Sequence, residues 1–126
     1  MGHVLVIDDD PTVRSLVVGL LEAHGHSVVQ AVDGRVGGAL FAHGGFDLVV
    51  TDIVMPEQEG IETITAIRRV NRAVPILAIS GSATIGGVGD YLRAAAALGA
   101  SATLKKPFEP NDFLAVVERL LSRAAH

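Results

Sequence analysis

Acidic side chains follow two short apolar runs of the sequence. Asp8, Asp9 and Asp10 come directly after the first run, and Asp52 comes directly after the third. If both runs are parallel strands, their carboxyl ends lie at one edge of the sheet, so these carboxylates converge there. Two like charges about 4 Å apart repel by roughly 1 kcal/mol in water and more strongly inside a protein. A cation must offset this repulsion, and hard oxygen ligands without a cysteine or nearby histidine favour Mg²⁺.

Three more polar residues lie at the ends of later runs, and together with the acidic cluster they suggest phosphoryl transfer. Ser80 ends the fourth run, and Lys105 and Lys106 follow the fifth. A divalent metal beside a carboxylate suits this reaction, in which catalysis is largely positioning and neutralisation of oxygen charge. Asp52 is then the nucleophile that forms an acyl phosphate. Ser80 and one lysine would bind the remaining phosphoryl oxygens, as a hydroxyl donor and a cation respectively.

Taken singly, these polar residues have simpler structural interpretations. Asp10 would cap the helix that begins near Pro11, Ser80 would bond its own backbone in a turn, and both lysines would be solvated. The convergence of the residues at one edge favours the chemical interpretation. Of the histidines, only His24 and His26 are close in sequence, and we expect both to be solvated at a helix end rather than to bind metal.

The elements that position these residues follow from hydrophobic patterning. Five short runs of Val, Ile, Leu or Ala predict buried strands, and apolar residues at helical spacing between and after them predict five helices. Strands that are apolar throughout need cover on both faces, which alternating helices provide through right-handed crossovers. The predicted fold class is α/β, a (βα)5 arrangement with a five-stranded parallel sheet and helices on both faces. The predicted strands are Val4–Ile7, Val28–Val32, Leu48–Thr51, Ile76–Ile79 and Ala102–Leu104.

Residues that begin or end helices agree with this division. Asp10 and Pro11 together predict a capped start for the first helix, Gly25 follows its end, and Pro110 begins the last helix. No internal repeat or linker interrupts the pattern, so we expect a single domain over residues 1–126.

Composition excludes several classes of function. The formal net charge is −4 and no block of Lys or Arg occurs, so direct nucleic-acid binding is not expected. The chain has no cysteine, which suits a reducing compartment. No apolar stretch approaches the roughly 20 residues that a membrane span needs, so membrane insertion is not expected. We expect a cytoplasmic protein.

Four motifs in register resemble the receiver domain of bacterial two-component response regulators. They are Val-Ile-Asp-Asp-Asp-Pro at 6–11, Thr-Asp-Ile-Val-Met-Pro at 51–56 with Gly60 after it, Ala-Ile-Ser-Gly at 78–81 and Leu-Lys-Lys-Pro-Phe at 104–108. The resemblance implies a flavodoxin-like fold with strand order 2-1-3-4-5. It also implies Mg²⁺ dependence, a phosphoryl group received from a histidine kinase or phosphotransfer protein, and a downstream protein partner. Such a domain is a signalling switch that catalyses only its own phosphotransfer and dephosphorylation.

The resemblance also implies roles for single residues. Asp52 would be phosphorylated, Asp9 would bind Mg²⁺ directly and Asp8 would act largely through water. The main-chain carbonyl of Val54 would complete the metal ligands. Lys106, directly before a proline, matches the family's lysine better than its neighbour does.

Two positions depart from the pattern of many receivers. Val54 stands where a polar residue is common, and Thr103 stands where many receivers have an aromatic switch residue. Because Thr103 cannot move as an aromatic ring does, we expect the glycine-rich segment 81–89 and the helix near Tyr91 to reorder after phosphorylation.

Two other functions fit parts of the sequence. A haloacid-dehalogenase-type phosphatase would use Asp8 as nucleophile, since Asp8 to Thr12 fits its Asp-x-Asp-x-Thr signature, but the motif around Asp52 would then be unexplained. An FMN carrier on the same fold needs a phosphate-binding loop after the first strand. Three aspartates at that place would repel the phosphate.

Overall fold

A computed structural model gives the fold and describes residues 2–52, 59–80, 96, 97 and 99–124. In this part of the chain, five strands and four of the five predicted helices are observed, and the helix expected before the last strand lies largely outside it. None of the described helices is long and apolar enough to cross a lipid bilayer. The strands are β1 (His3–Ile7), β2 (Ser27–Ala31), β3 (Leu48–Asp52), β4 (Ile76–Ser80) and β5 (Ala102–Lys105). The helices are α1 (Pro11–Ala23), α2 (Gly34–His43), α3 (Glu59–Val70) and α4 (Pro110–Ala124).

The five strands form one parallel sheet in the order β2-β1-β3-β4-β5, which confirms the predicted topology. From β1 the chain first moves outward to β2 and then returns to form β3 on the other side of β1. The strand order therefore reverses between β1 and β3. In open α/β sheets, ligands bind outside the carboxyl ends of the strands at such a reversal.

The core lies on both faces of the sheet. On one face, β1 packs through Val4 and Val6 against α1 and α4, and on the other it packs through Leu5 and Ile7 against α2 and α3. Strands β3 and β4 are likewise buried at every position. Burial on both faces explains why these strands are apolar throughout rather than at alternate positions. The packed sheet thus provides a rigid base for the residues at its carboxyl edge.

Helix α1 begins directly after the acidic segment because its capping residues lie there. The Asp10 carboxylate accepts from the backbone N–H groups of Thr12 at 2.9 Å and Val13 at 3.4 Å, and Pro11 occupies the first turn. Asp10 therefore has the capping role that its sequence position suggests. After the helix ends, Gly25 has a φ of 86°, a conformation that glycine adopts without strain.

Two details of the fold differ from the sequence-based predictions. Strand β2 ends at Ala31, and Val32, which was predicted to be its last residue, is 52% exposed. His26 is buried rather than solvated, so that prediction is wrong, whereas His24 is exposed as expected. Both ring nitrogens of buried His26 have partners, since its Nδ1 accepts from the Gly2 N–H at 3.0 Å and its Nε2 lies 3.3 Å from a carboxylate oxygen of Glu118.

Candidate functional site

Three carboxylates converge where β1 and β3 end. Asp8 directly follows β1, Asp9 is the next residue, and Asp52 is the last residue of β3. One oxygen from each carboxylate lies within 4.8 Å of the others. Asp8 and Asp52 are buried and Asp9 is exposed, so the cluster is open to solvent on the Asp9 side. An oxygen-only set of this kind can hold a hard divalent cation.

Within the described part of the chain, Lys106 is the cation that contacts this cluster. Its Nζ lies 3.1 Å from Asp52 Oδ2 and 3.7 Å from Asp8 Oδ2. Its backbone N–H donates to the carbonyl of Ser80 at 2.8 Å, which ties the end of β5 to the end of β4. Lys105, in contrast, is exposed. The peptide bond between Lys106 and Pro107 is cis.

The pKa of Asp8 reflects its burial and, to a smaller extent, the neighbouring carboxylate. Burial raises the pKa of Asp8 from 3.8 to about 6, and the charge of Asp52 and a hydrogen bond with it also raise this pKa. The backbone N–H of Asp10, which donates to Asp8 Oδ1 at 2.8 Å, and the Lys106 charge act in the opposite direction. Among the described residues, the Lys106 ammonium group therefore offsets the buried charge of Asp8 only in part. A divalent cation would supply the missing positive charge.

Ser80 lies at the same edge, as the last residue of β4. Its side chain is fully buried, and its Oγ has no hydrogen-bond partner among the residues that the structure describes. A buried hydroxyl without a partner costs free energy, about 1–3 kcal/mol. Such a donor is available to an oxygen atom that enters the site.

One residue at the site was missed by the sequence analysis. Arg14, on the second turn of α1, donates from Nη1 to the main-chain carbonyl of Asp8 at 2.7 Å. Its Nε donates to Oε1 of Gln30 on β2 at 3.2 Å. The only sequence signal was indirect, since a residue one turn after the capping Asp10 lies near the segment that precedes the helix.

Several residues named from the sequence cannot be placed at the site. Val54, the segment 81–89 and Tyr91 lie outside the described residues. Thr103 lies in β5 beside Ala78 of β4 and is half-buried.

A parallel sheet with a cluster of carboxylates, a lysine and a buried hydroxyl at its carboxyl edge defines the class of CheY-like α/β proteins. Residues 4–118 match the family model described as the response regulator receiver domain. The chain therefore belongs to the response regulator receiver domain family. The haloacid-dehalogenase alternative is not favoured by this match.

Similar proteins agree with this assignment. The chain is 36% identical over 98% of its length to the DNA-binding dual master transcriptional regulator RpaA of Synechocystis, of which it covers 50%. It is 31% identical over 98% of its length to the transcriptional regulatory protein CpxR of Escherichia coli, of which it covers 51%. It thus spans about half the length of these two relatives.

A solved structure of similar size supports the same fold. The chemotaxis protein CheY4 of Vibrio cholerae superposes with a TM-score of 0.84 and is 31% identical, with coverage of 95% of this chain and 98% of that one. Receiver domains of this family are generally signalling switches rather than metabolic enzymes.

Proposed function

We propose that this receiver domain accepts a phosphoryl group on Asp52 from the phosphohistidine of a histidine kinase or phosphotransfer protein. Mg²⁺ is required, and phosphorylation switches the binding of a downstream protein partner. The observation that carries the proposal is the convergence of three carboxylates within 4.8 Å, with Lys106 Nζ 3.1 Å from Asp52. Both the cation-binding oxygens and the nucleophile that phosphoryl transfer needs are then present at one place.

The acidic cluster fits Mg²⁺ in its donor atoms, which are all carboxylate oxygens. Asp9 and Asp52 would bind the ion directly, and Asp8 would act largely through water. The main-chain carbonyl of Val54, which lies outside the described residues, is the further ligand expected from the family. When bound, the ion neutralises charge on the carboxylates and on the phosphoryl oxygens.

The transfer step is a displacement at phosphorus. A carboxylate oxygen of Asp52 attacks the phosphorus of the phosphohistidine, and the new P–O bond forms as the P–N bond breaks. The electron pair of the broken bond stays on the imidazole nitrogen of the donor. Hydrolysis of the acyl phosphate by water later restores the Asp52 carboxylate.

Lys106 and Ser80 have complementary roles in this step. The Lys106 ammonium already contacts Asp52 and can follow the negative charge onto a phosphoryl oxygen. The buried Ser80 hydroxyl, which has no partner in the described part of the chain, can donate to another phosphoryl oxygen. Occupying Ser80 in this way removes an unsatisfied polar group, so phosphorylation is coupled to a change at β4.

The surface beside the site suits a protein donor. An apolar groove of about 420 Å³ is lined by Val13, Leu16, Lys106, Pro107 and Phe108. Leu16 is 51% exposed, and Lys106 belongs both to the groove and to the acidic site. Apolar side chains of the donor can pack in this groove while its phosphohistidine reaches Asp52.

Three predictions from composition stay predictions. The DNA-binding activity named for RpaA belongs to a protein about twice as long, so it does not test whether these residues bind nucleic acid directly. A cytoplasmic location and a single domain over residues 1–126 are likewise proposed from the sequence.

Peptide mapping by mass spectrometry after incubation with acetyl phosphate and Mg²⁺ tests the proposed function. We expect a phosphoryl mass shift on the peptide that contains Asp52. The shift should vanish in Asp52→Asn and persist in the control Asp112→Asn, which changes an exposed carboxylate on α4. A shift on the peptide that contains Asp8 would instead support the phosphatase alternative.

A further inference from the structure

Arg14 connects helix α1 to the acidic segment through hydrogen bonds to neutral acceptors. Its Nη1 donates to the main-chain carbonyl of Asp8 at 2.7 Å, and its Nε donates to Oε1 of Gln30 at 3.2 Å. Among the described residues, none of the carboxylates forms an ion pair with it. The guanidinium is thus held by two neutral acceptors, directly beside a site that carries three acidic groups.

The bond to the Asp8 carbonyl restrains the backbone of Asp9. Peptide groups are planar, so a hydrogen bond at the Asp8 carbonyl fixes the plane that leads into Asp9. The preceding plane is held because the Asp8 N–H donates to the Ala31 carbonyl at 3.1 Å. The following plane is held because the Asp10 N–H donates to Asp8 Oδ1 at 2.8 Å. In the described part of the chain, Arg14 supplies the hydrogen bond to the middle plane.

We propose that Arg14 is a positioning residue for the metal site, which acts by fixing the peptide plane between Asp8 and Asp9. Gln30 assists by orienting the guanidinium from β2. The inference rests on the proposed function, because it presupposes that Asp9 binds Mg²⁺. Groups that orient metal ligands typically change metal affinity by about 10–100-fold when they are removed.

The sign of the effect separates positioning from simple electrostatics. Arg14 carries a positive charge, and a nearby positive charge opposes the binding of Mg²⁺. If charge alone mattered, Arg14→Met would bind Mg²⁺ more tightly than the wild type. If Arg14 positions Asp9, the same variant binds Mg²⁺ more weakly even though an opposing charge has been removed.

The test is a calorimetric titration of the full chain with Mg²⁺ alone. We expect roughly tenfold weaker binding in Arg14→Met, the low end of the range for such groups. Gln30→Leu keeps the Arg14 charge and its bond to Asp8, so we expect a smaller weakening of the same sign. The control Arg72→Met removes one positive charge from an exposed residue that precedes β4, and we expect it to bind as the wild type does.

A second measurement excludes a merely structural role. The Mg²⁺ concentration for half-maximal phosphoryl uptake from acetyl phosphate should rise in Arg14→Met by the same factor as the dissociation constant. Loss of stability alone leaves this concentration unchanged while the variant is almost entirely folded without Mg²⁺, and urea unfolding in the presence of EDTA checks this condition. If Arg14→Met does not fold, the exposed position of Gln30 makes Gln30→Leu the deciding variant.

The outcomes distinguish this inference from the proposed function. Equal or tighter Mg²⁺ binding in Arg14→Met, or unchanged binding in Gln30→Leu when Arg14→Met is unfolded, overturns the positioning role while the metal site stands. Absence of Mg²⁺ binding in the wild type, or unchanged binding in Asp9→Asn, overturns the metal site itself and the role of Arg14 with it.

Discussion

The two ends of the sheet differ in how well their polar groups are paired. At the carboxyl end, buried carboxylates lie close together and a buried hydroxyl has no partner among the described residues, whereas at the amino end one arginine donates hydrogen bonds to several backbone carbonyls. The carboxyl end brings the buried carboxylates of Asp8 and Asp52 to the single ammonium group of Lys106. Beside them, Ser80 Oγ has no partner among the described residues. This end holds polar groups that a ligand would satisfy.

At the amino end, Arg68 of α3 donates hydrogen bonds to the segments that precede β4 and β5. Its guanidinium donates to the carbonyl of Gly99 at 2.9 and 2.7 Å and to the carbonyl of Val74 at 2.6 Å. It also donates to the carbonyl of Asn71 at 3.2 Å and to Oγ of Ser101 at 3.3 Å. Burial lowers the pKa of Arg68 below its ordinary value.

The difference shows how one fold separates stability from function. A polar group with good partners stabilises the fold, and a buried polar group without them costs free energy until a ligand arrives. We therefore expect substitutions at the amino end to lower stability and leave the acidic site intact. Neutralisation of a buried carboxylate at the carboxyl end should impair function while stability is kept or raised.

The largest expected effect is that of Asp52→Asn, which should abolish phosphoryl uptake completely. Asn is close to isosteric and removes one of two crowded charges, so the free energy of unfolding without Mg²⁺ should be equal or higher. Urea unfolding in the presence of EDTA and mass spectrometry after incubation with acetyl phosphate measure the two quantities. A fall in stability of more than about 1 kcal/mol would contradict the idea that crowding is costly here.

Arg68→Met should reduce the free energy of unfolding by roughly 3–5 kcal/mol, because the two partly buried carbonyls of Gly99 and Val74 lose their donor at a cost of about 1–3 kcal/mol each. Mg²⁺ affinity of the folded variant should be unchanged, since Arg68 lies at the opposite end of the sheet. Urea unfolding and calorimetry provide the measurements. The neighbouring Arg69, which is exposed, offers the matched control Arg69→Met, for which we expect a change within about 0.5 kcal/mol.

Much of this fold could be predicted from the sequence because its main signals are local. Continuous apolar runs identify strands buried on both faces, and β3 and β4 are buried at every position. Because the strands are parallel, their carboxyl ends lie at one edge of the sheet, and Asp8 and Asp52 therefore lie close together. The order of the strands came from the resemblance of the motifs to a known family, and the structure confirms it.

The sequence could not predict contacts between a side chain and a residue far away in sequence, or between a side chain and a main-chain carbonyl. Buried His26 contacts a backbone N–H 24 residues away and a glutamate 92 residues away, so its position after a helix gave no indication of its burial. Arg14 and Arg68 bond main-chain carbonyls, which every residue type carries. Such contacts depend on the packed arrangement of elements and leave no residue pattern to detect.

The two adjacent lysines allow a test of how strongly the stability of the acidic end depends on the charge of Lys106. Lys106→Met removes the ammonium group that contacts the buried carboxylates of Asp8 and Asp52, so the metal-free protein should lose about 2–4 kcal/mol of stability. Lys105→Met changes an exposed side chain and should alter stability by less than about 0.5 kcal/mol. Saturating Mg²⁺ should reduce the difference in unfolding free energy between Lys106→Met and Lys105→Met. An equal loss in both would mean that Lys106 contributes no more than a solvated lysine.

The smallest expected effect is the pH dependence that Asp8 confers on the metal-free protein. The folded-state pKa of Asp8 is raised from 3.8 to about 6, chiefly by burial, so the folded protein binds this proton more tightly than the unfolded chain. The stability that Asp8 contributes is therefore fully present below about pH 4 and is lost as the pH rises through about 6. The full shift corresponds to about 3 kcal/mol, and we expect roughly 1–3 kcal/mol.

Asp8→Asn cannot ionise, so its stability relative to the wild type should increase between about pH 4 and pH 7 when EDTA is present. Urea unfolding at both pH values measures this difference. The control Asp112→Asn changes an exposed carboxylate that stays hydrated in both states, so its offset from the wild type should be nearly the same at both pH values. Added Mg²⁺ should reduce or reverse the stability advantage of Asp8→Asn near pH 7, because the ion stabilises the ionised carboxylate that only the wild type carries at position 8. If the difference in unfolding free energy between Asp8→Asn and the wild type stayed constant across this range, burial would not disfavour the ionised form of Asp8. The carboxyl end would then no longer differ from the Arg68 end in holding a destabilised charge.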